Sequence, residues 1–389
     1  MIGISSRETC APKFLMLSAS NMRILIATGL YPPEIGGPAT YSAHLKRSLP
    51  AHGIEVVILP FSRVRQYWKV VRHLVYFYLA FKEGKRTDLI YAQDPVSVGV
   101  PALCAAFLLR KPYMLKIVGD YAWEQASQRF GYAGTPDAFQ DAEIHIIAKI
   151  FRTLERFVAR QAHVVVVPSK YLGGIVRLWG VPEEKIAVIK NGIESFQDTG
   201  SKSVIRGLFK FHGKLIISVG RLVPWKGFDL LIRILPAIKK NYPDTKLLII
   251  GSGPLMDVLE KKSVQMGLMN DVVFTGALER DILIRYIRAS DVFALNTSYE
   301  GLSHQILEVM AVGVPVVTTR VGGNPEVITH GVDGYLLKHN DAKGFRETIM
   351  KLLGDSGLRT RTVANAKRKI TQFSNERMVA ETAALLKTI

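Results

Sequence analysis

One pattern runs along most of this chain and constrains its fold more than any other feature: a short, strongly apolar, β-branched run, then a stretch of helical character. The first half carries it in "RILIAT" (23–28), "EVVILP" (55–60), "DLIYAQ" (88–93), "YMLKIVG" (113–119), "HVVVVPS" (163–169) and "KIAVIKNG" (185–192). The second half repeats it in "KLIISVG" (214–220), "KLLIIGSG" (246–253), "DVVFTGA" (271–277), "DVFALNTS" (291–298) and "VPVVTTRVGG" (314–323). Runs with so little polar alternation belong to strands buried on both faces, and helices between them make the sheet parallel and open. Between the two sets lies "ESFQDTGSKSVIRGLFKFHG" (194–213), polar and glycine-containing, which reads as a linker. The expected fold is α/β, with two doubly wound, Rossmann-like domains. Ligands of such sheets lie outside the carboxyl ends of the strands, so two ligand-bearing edges are expected to face each other across an interdomain cleft.

The expected boundaries are 1–21 for a poorly ordered N-terminal extension, 22–193 for the first domain, 194–213 for the linker and 214–365 for the second domain. A helical segment, 366–389, is expected to pack back towards the first domain. The extension lacks the charged, apolar and cleavage-site layout of a signal peptide, and "MRILIATGLYPP", from Met22, reads as a natural domain start. A length of 389 residues allows two cores, and 48% hydrophobic with 22% charged residues excludes a disordered chain. The longest apolar run, "VSVGVPALCAAFLL" (96–109), is broken by Gly and Pro and falls short of the roughly 20 residues of a spanning helix, so it reads as a core helix. Cys10 and Cys104 have neither CxxC nor metal-ligand spacing, which fits a reducing cytosolic compartment. A formal net charge of +18 invites a polyanionic partner: nucleic acid, an anionic membrane surface or a phosphorylated substrate.

The residues that follow the strands narrow this choice. After the first strand, Gly36 and Gly37 form either a plain turn or a place where backbone approaches an anion at the start of a helix. After the first strand of the second half, Arg221 and Lys226 flank a Pro-Trp turn, either as solvated surface or as two cations where a diphosphate would collect. The sharpest question comes from "YEGLSHQILEVMAVG" (299–313), in which Glu300 and Glu308 stand eight positions apart. A helix starting near Leu302 carries Ile306, Leu307, Met310 and Ala311 on one stripe, while Val309 and Val312 make its other face apolar too. Glu308 on such a helix needs a donor, because an unpaired buried charge costs several kcal/mol or more. An internal salt bridge, a water-filled gap or the hydroxyls of a ligand would each serve. Free amides from Gly301 to Ser303 would take phosphate oxygens, about 10 Å from Glu308 along the helix.

In their order and spacing these segments resemble the retaining, nucleotide-sugar-dependent glycosyltransferases of family 4, whose GT-B fold sets two Rossmann-like domains face to face. The resemblance covers nearly the whole chain from Met22. It rests on the glycine pair, "NGI" (191–193), "GRLVPWKG" (220–227), "GSGP" (251–254), "VVFTGAL" (272–278), the Glu-x7-Glu pair with "EGLSHQILEVMAVGVPVV", "GGNPEVI" (322–328) and "GVDGYLL" (331–337). It implies an acceptor-binding first domain and a second domain that binds the nucleotide sugar. Arg221 and Lys226 would bind the donor diphosphate, Glu308 the ribose and Glu300 the transferred sugar. The amides of Gly301, Leu302 and Ser303 would meet phosphates or sugar hydroxyls, Leu278 would lie beside the base, and Gly36 and Gly37 would close on donor and acceptor. The implied chemistry is front-face attack by an acceptor hydroxyl with retention, driven by charge stabilisation of the departing diphosphate and not by a two-carboxylate arrangement. No Asp-x-Asp occurs in the chain, which agrees with an enzyme that uses no metal and no cofactor beyond its nucleotide-sugar co-substrate. A UDP-sugar is the first expectation for the donor and a GDP-sugar the second.

One position departs from the family. Many members carry a histidine after the strand corresponding to "LKIVGDYAWE" (115–124), where this chain has Asp120. That carboxylate is expected either to act in catalysis, accepting the acceptor's proton or bonding the donor sugar, or to cap the next helix. Residues 63–86 interleave Arg65, Lys69, Arg72 and Lys82 with Tyr67, Trp68, Tyr76, Phe77 and Tyr78, as a core helix with basic ends or as a helix lying in an anionic membrane interface. The expected protein is thus a cytoplasmic enzyme, peripheral on the inner face of the cell membrane, acting on a hydroxyl of a lipid-linked or cell-envelope polysaccharide acceptor. Nucleic acid is not an expected partner, because no helix-turn-helix, zinc or RNA-binding motif accompanies the charge. A dinucleotide dehydrogenase is disfavoured because "GSGPLM" (251–256) lacks the third glycine of its fingerprint, and a phosphorylase because no cofactor-bearing lysine context is found. The remaining alternative is a non-catalytic sugar-nucleotide- or polyanion-binding protein of the same fold.

Overall fold

A computed structural model describes residues 22–34, 36–194, 202–208 and 212–389. The expected extension, 1–21, lies outside the described residues, as does much of the expected linker; within the latter, Lys202–Leu208 is helical. Strands β1 (Met22–Thr28), β2 (Ile54–Pro60), β3 (Leu89–Ala92), β4 (Tyr113–Lys116), β5 (Val164–Val167) and β6 (Ile186–Val188) form one sheet in the order β2-β1-β3-β4-β5-β6. Strands β7 (Leu215–Val219), β8 (Lys246–Ile250), β9 (Val272–Phe274), β10 (Val292–Leu295), β11 (Val316–Thr319) and β12 (Tyr335–Leu337) form a second, in the order β12-β11-β10-β7-β8-β9. Every pairing is parallel. Each apolar run read from the sequence overlaps one of β1 to β11, and the architecture is the two-sheet α/β fold expected from them. The short strand β12 was not among those runs.

Alternate residues of each strand feed opposite cores, as the two-residue period of a strand requires. In the first sheet Leu25, Ile90, Leu115 and Val165 face one helical layer, while Ile24, Ile26, Tyr91, Met114 and Val166 face the other. The second layer receives a guest from the far end of the chain. Met378, Val379, Ala383 and Leu386 of the helix Asn375–Leu386 pack there, among Tyr41, Leu45 and Leu49. Backbone bonds from Ile193 to Phe373 (2.9 Å) and from Asn375 to Ile193 (3.2 Å) fix this return. On the opposite side of the interface Glu326 accepts from the amides of Lys170 and Tyr171, both at 3.0 Å, at the start of the helix Lys170–Leu178. A carboxylate at a helix N-terminus is favourably placed.

Two helices are less buried than their sequences imply. The run at 96–109 forms the helix Gly99–Leu109, with Ala102, Ala105 and Ala106 buried but Phe107 and Leu108 exposed at its end. The basic, aromatic segment becomes a 3-10 turn, Phe61–Val64, and the helix Lys69–Gly84, which buries Tyr76 and Ala80 while leaving Val70, Leu74 and Tyr78 to solvent.

What places a site is the point where strand order reverses. In the first sheet this is between β1 and β3, and in the second between β7 and β10. The loops that follow these strands carry Gly36 and Gly37, Gln93, Arg221 with Lys226, and Glu300.

Candidate active site

The wall contributed by the second domain is built from paired charges. After β7 the chain turns through Pro224–Lys226 and stops at Gly227, whose φ of 59° and whose position both demand glycine: a Cβ there would lie 2.0 Å from the Asn296 carbonyl oxygen. This close approach holds the β7 turn against the end of β10. Lys226 Nζ then donates to Glu300 Oε1 at 2.5 Å, and Glu300 is 7% exposed. Arg221 is exposed, with its guanidinium 5.9 Å from the Trp225 ring centroid.

The helix carrying Glu308 runs from His304 to Val312, two residues later than the sequence implied, because Ser303 caps it by accepting from the Ile306 amide at 3.5 Å. Ile306, Leu307, Val309 and Met310 are fully buried. Glu308 is not. Its Oε1 lies 3.5 Å from Arg280 Nε, and Arg280 Nη1 donates to Glu194 at 2.8 Å. Burial pushes the Glu308 carboxyl above its ordinary value, and Arg280 pulls it back. The glutamate thus has an internal cation on one side and an open cavity on the other. That cavity, about 400 Å³, is lined by Glu308 together with Leu278, Gly36 and Gly37. Four of the residues singled out in the sequence meet there.

A second cavity of about 190 Å³ shares Gly37 and His304 with the first and is lined by Glu300, Gly301, Leu302 and Ser303 from the second domain. The domains touch closely here. A Cβ on Gly301 would lie 2.3 Å from the Val118 carbonyl oxygen of the first domain, and one on Gly37 would lie 3.2 Å from His304 Cδ2. Asn191, from "NGI", donates to the Leu302 carbonyl across the interface at 3.2 Å. A larger surface depression, about 710 Å³, involves Lys202, Asp291, Gly313 and Lys367 and includes none of the residues discussed here.

The first domain's wall carries groups that motif reading passed over. Lys116, at the end of β4, and Gln93, just after β3, line the smaller cavity and are 1% and 2% exposed. Glu124 lies near Arg221, Lys226 and Glu300, and burial raises its carboxyl to about 7 while the two cations oppose the shift. Asp120 has both carboxylate oxygens engaged: one accepts from the Trp123 amide at 2.7 Å, the other from Gln140 Nε2 at 2.8 Å, and the side chain is 1% exposed. With both oxygens engaged inside the domain it caps the helix Tyr121–Phe130, the second of the two roles its sequence context offered. Its backbone amide donates to the Tyr299 hydroxyl at 3.2 Å, which ties this loop to the residue preceding Glu300. Arg280, Lys116 and Gln93 had one sequence signal each: a cation opening the helix after β9, and a lone polar residue inside or ending an apolar strand run.

Comparison with known proteins bears on the whole cleft. Residues 59–192 match the family model described as a glycosyl transferase 4-like domain, and residues 207–369 match that of the glycosyl transferases group 1. The chain is 30% identical over 360 residues to a GDP-mannose-dependent alpha-(1-6)-phosphatidylinositol monomannoside mannosyltransferase of Mycolicibacterium smegmatis, covering 85% of this chain and 89% of the relative. It is 27% identical to an uncharacterised glycosyltransferase of Methanocaldococcus jannaschii, over 94% of this chain and 98% of that one. Among solved structures, Anabaena HepE in complex with UDP and glucose superposes with a TM-score of 0.76 at 20% identity, covering 95% of this chain and all of HepE. Sucrose-phosphate synthase from Thermosynechococcus elongatus gives 0.77 at 17%, covering 94% and 98%. At these identities the structural likeness is one of fold, the GT-B arrangement of two facing sheets. The relatives and the family models together establish that this chain belongs to the group 1, or family 4, nucleotide-sugar glycosyltransferases.

Proposed function

We propose that the protein transfers a hexose from a nucleoside diphosphate sugar to a hydroxyl of a lipid-linked or cell-envelope polysaccharide acceptor, with retention at the anomeric carbon. The observation that carries this reading is the meeting of Glu308, Leu278, Gly36 and Gly37 in one cavity that adjoins a second, lined by Glu300 to Ser303. Glu308 accepts from the ribose hydroxyls, and Arg280 opposes the rise that burial imposes on its carboxyl. The base lies beside Leu278. The diphosphate lies between Arg221, Lys226 and the amides at the start of the His304–Val312 helix, where the helix dipole favours an anion. Glu300, held by Lys226, orients the sugar.

The reaction breaks the bond between the anomeric carbon and the diphosphate oxygen and forms one from the acceptor oxygen on the same face, with the acceptor's proton passing to the departing phosphate. Charge developing on the diphosphate is met by fixed cations and amides, which need little reorganisation at the moment of reaction. The proposed enzyme requires no metal and no further cofactor. The donor nucleotide is UDP or GDP: UDP sugars were the first expectation, and the GDP-mannose dependence of the 30% identical relative supports the second. Transfer or slow hydrolysis of UDP-glucose and GDP-mannose, followed by anomer-resolved NMR with a chelator present, tests this reading. An inverted product, or activity only on adding a divalent cation, would sink it.

Work at a membrane surface is part of the same proposal. Trp68, Val70 and Leu74 are 86%, 74% and 64% exposed, and Phe107 is 81% exposed on the helix packed against theirs. Lys69, Arg72, Lys82 and Arg110 accompany them. Exposed apolar residues among cations suit an anionic interface. Among the described residues no helix is long and apolar enough to cross a membrane, so the proposed association is peripheral. Flotation with phosphatidylglycerol vesicles should capture the wild type and release the Trp68→Ser, Leu74→Ser double variant. Equal capture of both would count against this surface.

A further inference from the structure

The smaller cavity holds an imbalance that the protein does not resolve by itself. Lys116 is buried, and among the described residues its Nζ has no hydrogen-bond partner. It sits 3.6 Å above the Tyr41 ring centroid, a contact that offsets only part of the cost of burying an unpaired ammonium. Gln93, likewise buried, has no acceptor for Nε2 within 3.5 Å among the described residues, although its amide lies close enough to the Tyr91 phenol to oppose the rise that burial imposes on it. Both side chains line the cavity, as does Glu300, which is already engaged by Lys226. Two helices of nine or more residues, Gly37–Ser48 and His304–Val312, begin on its wall. Unused donors, a cation and two positive helix ends therefore converge on one space of about 190 Å³.

We propose that this cavity is an oxyanion site in which Lys116 Nζ and Gln93 Nε2 donate to phosphate oxygens of a ligand. Two sources supply that chemistry: the diphosphate of the donor, clasped from the first domain's side, or a phosphate on the acceptor. Burial lowers the Lys116 ammonium to about 7, so an arriving anion would restore its charge and draw a proton from solvent. The titratable neighbours do not substitute for it. Burial chiefly, helped by Lys116, lowers the His304 imidazole to about 4, and burial raises the Tyr41 phenol.

Isothermal titration of the wild type, Lys116→Met and Gln93→Leu separates the outcomes, with UDP, GDP, uridine, guanosine and inorganic phosphate as probes. If the donor supplies the anion, whichever diphosphate binds the wild type binds each variant at least tenfold more weakly. Its nucleoside binds all three proteins alike, and proton uptake, read in two buffers of different ionisation enthalpy, disappears from Lys116→Met. If the acceptor supplies it, nucleotide affinity is unchanged, and inorganic phosphate binds the nucleotide-saturated wild type but neither variant. Equal affinities of all three proteins for every probe, or no phosphate-dependent binding by the wild type, overturn the proposal. The nucleotide arm rests on the donor reading above; phosphate binding without any nucleotide binding would break that reading alone. Lys116→Met removes an unpaired charge and is expected to melt no lower than the wild type; if it does melt lower, Gln93→Leu carries the test.

Discussion

The two walls of the cleft solve the problem of buried charge in opposite ways. On the second domain's side each carboxylate has its cation, Glu300 with Lys226 and Glu308 with Arg280, so the wall is organised before any ligand arrives. On the first domain's side Lys116 Nζ and Gln93 Nε2 are buried with no hydrogen bond within 3.5 Å among the described residues. Paired groups are held rigid by one another and suit a site that must stabilise charge in a transition state, because preorganisation is what makes such groups effective. Unpaired groups are costly while empty and gain most when a ligand comes. The difference fits the proposed division, in which the first wall serves binding and the second chemistry.

The contrast between the two walls is lost most completely when the paired wall is disturbed. Lys226→Ala removes the cation proposed for the diphosphate and strands Glu300, so kcat should fall about 10² to 10³-fold, the usual cost of losing one preorganised charge-stabilising donor. A turnover assay giving wild-type kcat would remove Lys226 from the chemistry. Next in size, Gly301→Ala pushes a methyl group to 2.3 Å from the Val118 carbonyl, so the walls must part. Misplacement of about 1 Å costs on the order of 10²-fold in rate, and small-angle scattering should show a wider particle; an unchanged rate and profile would mean that the contact is not needed for closure. The smallest effect sharpens the unpaired side. Lys116 titrates near 10.5 when unfolded and near 7 when folded. Between those values the unfolded chain holds a proton that the folded one does not, so this group's contribution to stability rises with pH. Lys116→Met should therefore melt above the wild type at pH 7, with its lead narrowing towards pH 10. A constant gap would show that the ammonium is not destabilised by burial.

The paired wall was legible in the sequence and the unpaired one was not, for a physical reason. Arg221, Lys226, Glu300 and Glu308 follow strands at the switch point of one sheet, in loops and on a helix start whose residue types are set by close backbone approach, such as Gly227 against Asn296. Spacing along the chain then carries most of the geometry. Lys116 and Gln93 sit inside or at the end of runs that read as ordinary buried strands, and the far wall of their cavity comes from the start of the His304–Val312 helix of the other domain. Arg280 was missed on the same ground, since nothing local shows that a helix after β9 packs beside Glu308. Asp120 was ambiguous because its partner Gln140 lies twenty residues on, and β12 escaped because three residues are too few to show a period. At Glu308 the anomaly itself was the signal: a charge on an apolar helix pointed to both its salt bridge and its cavity.

In the proposed complex the nucleotide lies on the paired wall, with its ribose on Glu308. Titrating UDP and GDP into the wild type and Glu308→Gln, in the presence of a chelator, tests this most directly. One of the two nucleotides is expected to bind the wild type and to lose about tenfold or more in affinity in the variant, as hydrogen bonds to a charged acceptor are worth about 1.5 to 3 kcal/mol. Equal affinity for both proteins would contradict the assignment of Glu308 and, with it, the orientation of the donor in the cleft.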